Sequence, residues 1–320
     1  MSLAIIKDGK IVKLQGYGLA DIQGKVAATP ETIYDIASLS KPLVATGVML
    51  LVQKGVLSVD DPITKHLDDL PASWRSITIR HLLTHSSGLV RDAPGYDQYR
   101  DREDSEVIRT AYSFPLRFPP GEKWEYSNAG FSPLARIITK VTGRPWTDYF
   151  AERIFRPEGM TSTYPLNTSV RLPNRARGYA DNDTLKQADQ RRALIPAGGF
   201  LSTVVDLAKL DALLDRDGFL TEASRRQMWT PVTLNNGTTY PYGLGWELDA
   251  QGAVKGRRVV RHGGSVIGFR SEFARFVDDR LTIILLMNLH DVDWQTIVRG
   301  VAAAYLSPAT AGGSVERPPR

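Results

Sequence analysis

Ala37-Ser38-Leu39-Ser40-Lys41-Pro42, followed at once by the apolar run Leu43 to Val52, is the stretch whose reading decides the fold. The run is too long for an ordinary strand and closes at Lys54-Gly55, a cation and a glycine of the kind that ends helices. Ser38 therefore stands where a helix begins. Pro42 is tolerated in a first turn, where its missing N–H removes no helical bond, and Lys41, three residues after Ser38, shares its face. A serine hydroxyl is a poor nucleophile until a neighbouring base takes its proton, and a lysine whose pKa is lowered by burial can be that base. S-x-x-K at a helix start is the minimal form of this device. The plain alternative is that Ser38 or Ser40 caps the helix while Lys41 points to water.

Composition narrows the classes. With 320 residues, 42% hydrophobic and 23% charged, the chain has room for one large domain or two interleaved lobes. No apolar run is long enough to span a bilayer, so membrane insertion is not expected. The net charge of +5 comes from 40 basic and 35 acidic residues mixed along the chain. Arg171/Arg175/Arg177 and Arg257/Arg258/Arg261 can attract anions, but no basic block is interleaved with aromatics, and nucleic acid is not an expected partner. There is no cysteine, which excludes disulfides, a thiol nucleophile and thiolate metal sites.

In chain order, Ser2 to Ile6 and Ile11 to Gln15 read as a hairpin around Asp8-Gly9. No signal peptide precedes it, so the expectation is a cytoplasmic protein or an exported one that has been truncated. From Val56 to Leu194 the texture is short helical pieces and proline-rich links. Thr78 to His85 is a capped helix on which His81 and His85 stand four apart. Leu82 holds the place of the glutamate that a zinc-binding H-E-x-x-H helix needs, so no metal is expected there. Asp97 to Tyr112 is charged and reads as surface, and Ser132 to Val141 and Trp146 to Phe155 read as helices. Between them, Pro119 to Gly130 is a loop entering a helix, and in extended backbone Tyr126 and Asn128 share one face. A core tyrosine and a capping asparagine are the plain alternative. Ser202 to Leu214 reads as a helix. Tyr242 to Leu248, Arg257 to Arg261, Phe269 to Val277 and Leu281 to Asn288 read as antiparallel strands, and Asp293 to Leu306 as a closing helix. His262-Gly263-Gly264-Ser265 falls between two strands, either lining a cleft or simply forming a turn with an exposed histidine. The tail 307–320 reads as disordered.

Three elements in fixed order, SLSK at 38–41, YSN at 126–128 and HGG at 262–264, resemble the serine β-lactamase and penicillin-binding protein superfamily. The likeness is to its class C-like branch, which holds family VIII-type esterases and D-amino-acid peptidases. It extends to His81-Leu82-Leu83-Thr84-His85-Ser86-Ser87-Gly88-Leu89, Pro119-Pro120-Gly121, Pro196 to Gly199 and Tyr242-Gly243-Leu244-Gly245-Trp246. The resemblance implies an α+β fold: an antiparallel sheet flanked by helices, built from residues 1–55 and 195–306, with a helical lobe inserted at 56–194. It implies that Ser38 attacks a carbonyl, that Tyr126, its proton affinity lowered by Lys41, shuttles the proton, and that Asn128 orients substrate or Lys41. The N–H groups of Ser38 and Ser265 would hold the oxyanion, with His262, Gly263 and Gly264 lining the binding strand. No metal or organic cofactor is implied.

The chain departs from the resemblance in two places. Relatives begin with a helix beside the C-terminal one, whereas this chain opens inside a strand. β-Lactam-recognising relatives present a lysine and a hydroxyl where this chain has His262 and Gly263, so recognition of a carboxylate should be weaker and should improve at low pH as His262 gains charge. The expected activity is hydrolysis of small carboxylic esters through an acyl-enzyme. A β-lactamase or D-amino-acid peptidase acting on amides is the enzyme alternative, and a catalytically silent acyl-binding domain is an alternative of another class. Oligomeric state is left open.

Overall fold

Residues from both ends of the chain meet in one sheet. The structure, a computed structural model, describes residues 1–93, 95–100, 104–181, 183–249 and 256–306. Strands β1 (Ser2–Lys7) and β2 (Lys10–Gly16) form the expected hairpin, with Asp8 and Gly9 both at positive φ as a two-residue turn requires. The strands β3 (Glu247–Asp249), β4 (Val259–Val266), β5 (Phe269–Phe276) and β6 (Leu281–Met287) complete an antiparallel sheet of order β3-β4-β5-β6-β1-β2. The closing pair runs from Ser2↔Leu286 to Lys7↔Leu281.

Both faces of this sheet are covered, which is why β1 and β6 are apolar on both faces at most positions rather than alternating. Leu3, Ile5, Ile283 and Leu285 pack under the closing helix Trp294–Tyr305, while Ala4, Ile6, Ile284 and Leu286 face the main core. Helix α1 (Ser40–Gln53) runs through that core, with every residue from Ser40 to Leu51 buried. A helix apolar on all sides belongs in the interior. Residues 56–194 supply α2 (Ile79–Leu83), α3 (Asp104–Tyr112), α4 (Phe131–Thr142) and α5 (Trp146–Phe150), after which Val204–Asp215 forms α6. Among the described residues no helix is long and apolar enough to cross a membrane.

Several expectations are corrected. His262 to Ser265 lie inside β4, and the turn falls at Ile267-Gly268. Glycine tolerates extended backbone, and the pairing of β4 with β5 along its whole length overrides its weak strand preference. Of Tyr242 to Leu248 only the end from Glu247 pairs with β4, through Glu247↔Arg261. The preceding residues turn beside α1, with Gly245 at positive φ and Trp246 fully buried. Past α5 the backbone continues as a π-helical turn, Ala151–Phe155. In the Asp97 to Tyr112 stretch, expected at the surface, Ile108 and Ala111 of α3 are buried. The tail 307–320 lies outside the described residues.

Helix α6 is fastened to the sheet by charge. Arg275 on β5 donates to Asp211 at 2.7 Å and to Asp215 at 2.6 Å, and Thr282 on β6 donates to Asp211 at 2.9 Å. Arg275 and Asp211 are buried, so removing one partner strands the other charge. Asp211→Ala should cost about 3–5 kcal/mol, read as a lower urea midpoint. A loss under about 1 kcal/mol would show that Asp215 alone satisfies Arg275.

Candidate active site

A short 3-10 turn, Ala37–Leu39, carries Ser38 to the head of α1. Neither serine caps the helix: Leu39 is the N-cap, with no side-chain cap bond, and Ser40 instead accepts from Phe200 N–H at 3.1 Å. Ala37 has φ 48°, a left-handed conformation that is costly for a residue with a β-carbon. Three contacts hold it. The Asp35 carboxylate accepts from Ala37 N–H at 3.0 Å, Ser271 donates to Ile36 C=O at 2.8 Å, and Gly264 lies against Ile36 so closely that a β-carbon there would sit 2.3 Å from the carbonyl oxygen.

Lys41 is fully buried. Its Nζ lies 3.0 Å from Ser38 Oγ, 2.8 Å from Asn128 Oδ1 and 2.8 Å from Ala197 C=O. All three neighbours are uncharged, and burial holds the amine well below the usual lysine range. A free amine has two N–H donors and one lone pair. With Asn128 and Ala197 accepting the two protons, the lone pair is left facing the Ser38 hydroxyl.

Tyr126 hydrogen-bonds Ser38, and its ring lies 4.6 Å from Lys41 Nζ. Burial raises the phenol pKa rather than Lys41 lowering it, which corrects the sequence expectation. At neutral pH Tyr126 is thus an O–H donor, and the group in the cleft able to accept a proton is Lys41. Asn128 bridges outward, its Nδ2 donating to Asp92 at 2.8 Å.

His262 is not exposed: it is buried and belongs to a chain of neutral hydrogen bonds. Ser127 N–H donates to His85 Nδ1 at 3.1 Å, so His85 carries its proton on Nε2, 3.1 Å from the Tyr242 hydroxyl. Tyr242 in turn lies 2.9 Å from His262 Nε2, and His262 Nδ1–H meets Gly263 C=O at 2.7 Å. Each group donates one proton onward, and both nitrogens of His262 are used. Burial above all holds the His262 pKa down to about 3, and any charge on Lys41 would act in the same direction. The expectation that His262 gains charge at mildly acidic pH is therefore overturned. His81 serves elsewhere, its Nδ1 accepting from Thr78 N–H at 3.2 Å in a capping box.

Ser38, Lys41, Tyr126, Asn128, His262 and Gly264 thus come together. Gly263 and Ser265 alternate to the other face of β4, where a β-carbon on Gly263 would meet Glu272, so only their backbone can serve the cleft. Among the described residues β3 pairs with β4 only from Val259 to Arg261, and no strand of them neighbours the edge beyond His262.

A beta-lactamase family model matches residues 1–305. The chain belongs to the beta-lactamase family. It is 33% identical over 302 residues to penicillin-binding protein 4* of Bacillus subtilis, covering 88% of this chain and 66% of that one. A penicillin-binding protein from Bacillus halodurans superposes with a TM-score of 0.83 at 25% identity over 95% of both chains. A D-amino acid amidase from Ochrobactrum anthropi superposes with a TM-score of 0.79 at 26% identity, covering 95% of this chain and 93% of that one. The chain spans two thirds or less of the length of the curated relatives it matches.

In this beta-lactamase family member, sequence reasoning missed Asp35 and Arg191. Arg191 donates to both oxygens of Asp35, at 2.9 and 2.6 Å, and to Gly198 C=O at 2.7 Å, all buried. The pair ties the strained turn before Ser38 to the Ala197-Gly198 segment that receives Lys41. Asp35 was findable from its place three residues before Ser38, whereas Arg191 stands in an irregular stretch with no pattern around it.

The depressed His262 pKa carries a stability signature. Between about pH 6.5 and 3 the unfolded chain binds a proton at this histidine that the native state does not. Its contribution is complete above 6.5 and is lost as pH falls toward 3. The drop in urea midpoint from pH 7 to pH 4 should be smaller in folded His262→Gln than in the wild type. Equal drops would show that His262 is not held neutral.

Proposed function

We propose that the protein is a serine hydrolase that cleaves small carboxylic esters through an acyl-enzyme on Ser38. The observation that carries this reading is the buried Lys41 amine, 3.0 Å from Ser38 Oγ and otherwise engaged by two neutral oxygens. Lys41 takes the serine proton as Oγ attacks the carbonyl carbon. Tyr126, a neutral O–H donor beside Oγ, passes a proton to the leaving oxygen and is replenished from Lys41. The N–H groups of Ser38 and of Ser265, on the uncovered edge of β4, receive the oxyanion. Water then cleaves the Ser38 ester by the reverse route.

The neutrality of His262 supports esters whose leaving group has no carboxylate. A lysine there would attract a β-lactam carboxylate, but an imidazole with both nitrogens engaged does not. A second reading, hydrolysis of amides bearing a free ammonium group, is favoured by Asp92. Its carboxylate is half-exposed at the mouth of the cleft, against Asn128. The likeness to the D-amino acid amidase points the same way.

Short-chain p-nitrophenyl esters, a chromogenic cephalosporin and D-phenylalanine amide separate these readings. Ester turnover should exceed that of the other two. Ser38→Ala should remove it, and Lys41→Ala and Tyr126→Phe should each cost about a hundredfold or more without adding, because they act on one proton transfer. A folded Ser38→Ala that kept more than a few per cent of turnover would refute the nucleophile.

The pH profile makes a separate test. Because Lys41 must be unprotonated, kcat/KM should rise with pH through its lowered pKa. The ratio of cephalosporin to ester acylation should stay flat from pH 8 to pH 5, since His262 remains neutral down to about 3. A ratio that climbs as pH falls would mean a cation forms at the binding strand.

A further inference from the structure

A cavity of about 430 Å³ shares walls with the segments on either side of the Ser38 cleft. Its position follows from two short links. Asp35 in its wall accepts from the N–H of Ala37, the residue before Ser38, and Phe269, also in the wall, pairs with Val266, the residue after Ser265. The cavity therefore adjoins both backbone segments that would hold a substrate carbonyl. Val170, Ile267 and Phe269 give it an apolar side, and Val170 and Ile267 are 54% and 47% exposed.

Its charges are unevenly matched. Asp35 is taken bidentately by Arg191, and Asp21 at the rim by Arg177 at 2.8 Å. Arg175, half-buried in the wall, has instead a neutral partner: with the Gln190 amide oriented to satisfy both groups, its oxygen accepts from Arg175. Two guanidiniums, Arg175 and Arg191, thus share the field of the one buried carboxylate, Asp35. Asp189 also lines the cavity, but it is exposed at the rim. A carboxylate entering along the apolar side could displace the exposed Gln190 amide and bond Arg175 in its place. A charge-assisted bond is stronger than the neutral one it replaces.

We propose that this cavity is a subsite for a carboxylate at the far end of the substrate's acyl chain, with Arg175 as the residue that binds it. The proposal rests on the acyl-enzyme reading for its role in turnover, though not for binding. It concerns the acyl half of the ester, whereas His262 bears on the leaving group.

The test pairs kinetics with binding. p-Nitrophenyl hemiglutarate and hemiadipate are compared with the valerate and hexanoate esters of matched length, and glutarate is titrated calorimetrically. In Arg175→Gln the acid-to-neutral ratio of kcat/KM and the glutarate affinity should each fall at least about tenfold, with neutral-ester turnover kept. Arg175→Lys should restore part of both. Ile267→Glu, at an exposed position that does not depend on the fold of the Arg175 segment, should lower the same ratio by repulsion at the mouth. Hydrolysis of neutral esters with an acid-to-neutral ratio unchanged in Arg175→Gln and Ile267→Glu would overturn the subsite. Arg175-dependent glutarate binding without turnover of any ester would keep the subsite and overturn the esterase reading. Absence of glutarate binding to the wild type would overturn the subsite whatever the turnover.

Discussion

The molecule is organised around an amine removed from water. Taking an ammonium into a dry interior costs several kcal/mol unless an anion accompanies it, and among the described residues the partners of Lys41 are the uncharged Ser38 Oγ, Asn128 Oδ1 and Ala197 C=O. Asp92, the largest opposing charge, acts on it from behind Asn128, while Arg91 and Arg191 press the other way. The balance favours the unprotonated amine. Each neighbour of Lys41 comes from a different part of the chain: the turn before α1, the loop entering α4 and the segment before Phe200. This amine thus ties together three segments distant in sequence.

Holding three such segments in register needs rigidity that the segments lack individually. Ala37 is strained and Asn128 and Ala197 lie in irregular backbone, so the support comes from outside them. The Asp35–Arg191 pair joins the first to the third, the Ser127–His85 bond fixes the second, and β4 presses Gly264 against Ile36. Buried charge pairs are poor sources of net stability, but they are demanding about geometry, because any displacement leaves a desolvated charge unsatisfied. That property suits a clamp better than a core.

How much of this was legible follows from the range of the forces. The hairpin at Asp8-Gly9, α1 and the closing helix were readable because turn chemistry and periodicity are local. Ser38, Lys41, Tyr126 and Asn128 were legible as a set from their motifs, and their separation in sequence is bridged in the fold. The burial of His262, the strand character of its two glycines and the raised Tyr126 pKa were not legible. Each is decided by what other segments bring alongside: Tyr242 and His85 for the imidazole, β5 for the glycines, and the packed cleft for the phenol. Arg191 was invisible because nothing within ten residues of it predicts a partner 156 positions away.

The neutral histidine and the free amine are one electrostatic condition seen twice. Burial disfavours charge on both groups, and charge on either one would further disfavour charge on the other, since both belong to the same buried cleft. A permanent charge at 262 favours a substrate carboxylate but must be accommodated among His85, Tyr242 and Tyr126, which offer no anion at neutral pH. A wired chain of imidazole, phenol and imidazole avoids the problem, because every member is satisfied without charge. On the proposed reading, a preference for substrates with no anion beside β4 then needs no dedicated selectivity residue. It follows from filling the lysine's place with a group whose hydrogen bonds are already complete, and with the proposed subsite discrimination between acyl chains falls to the neighbouring cavity, where Arg175 has a neutral partner to exchange.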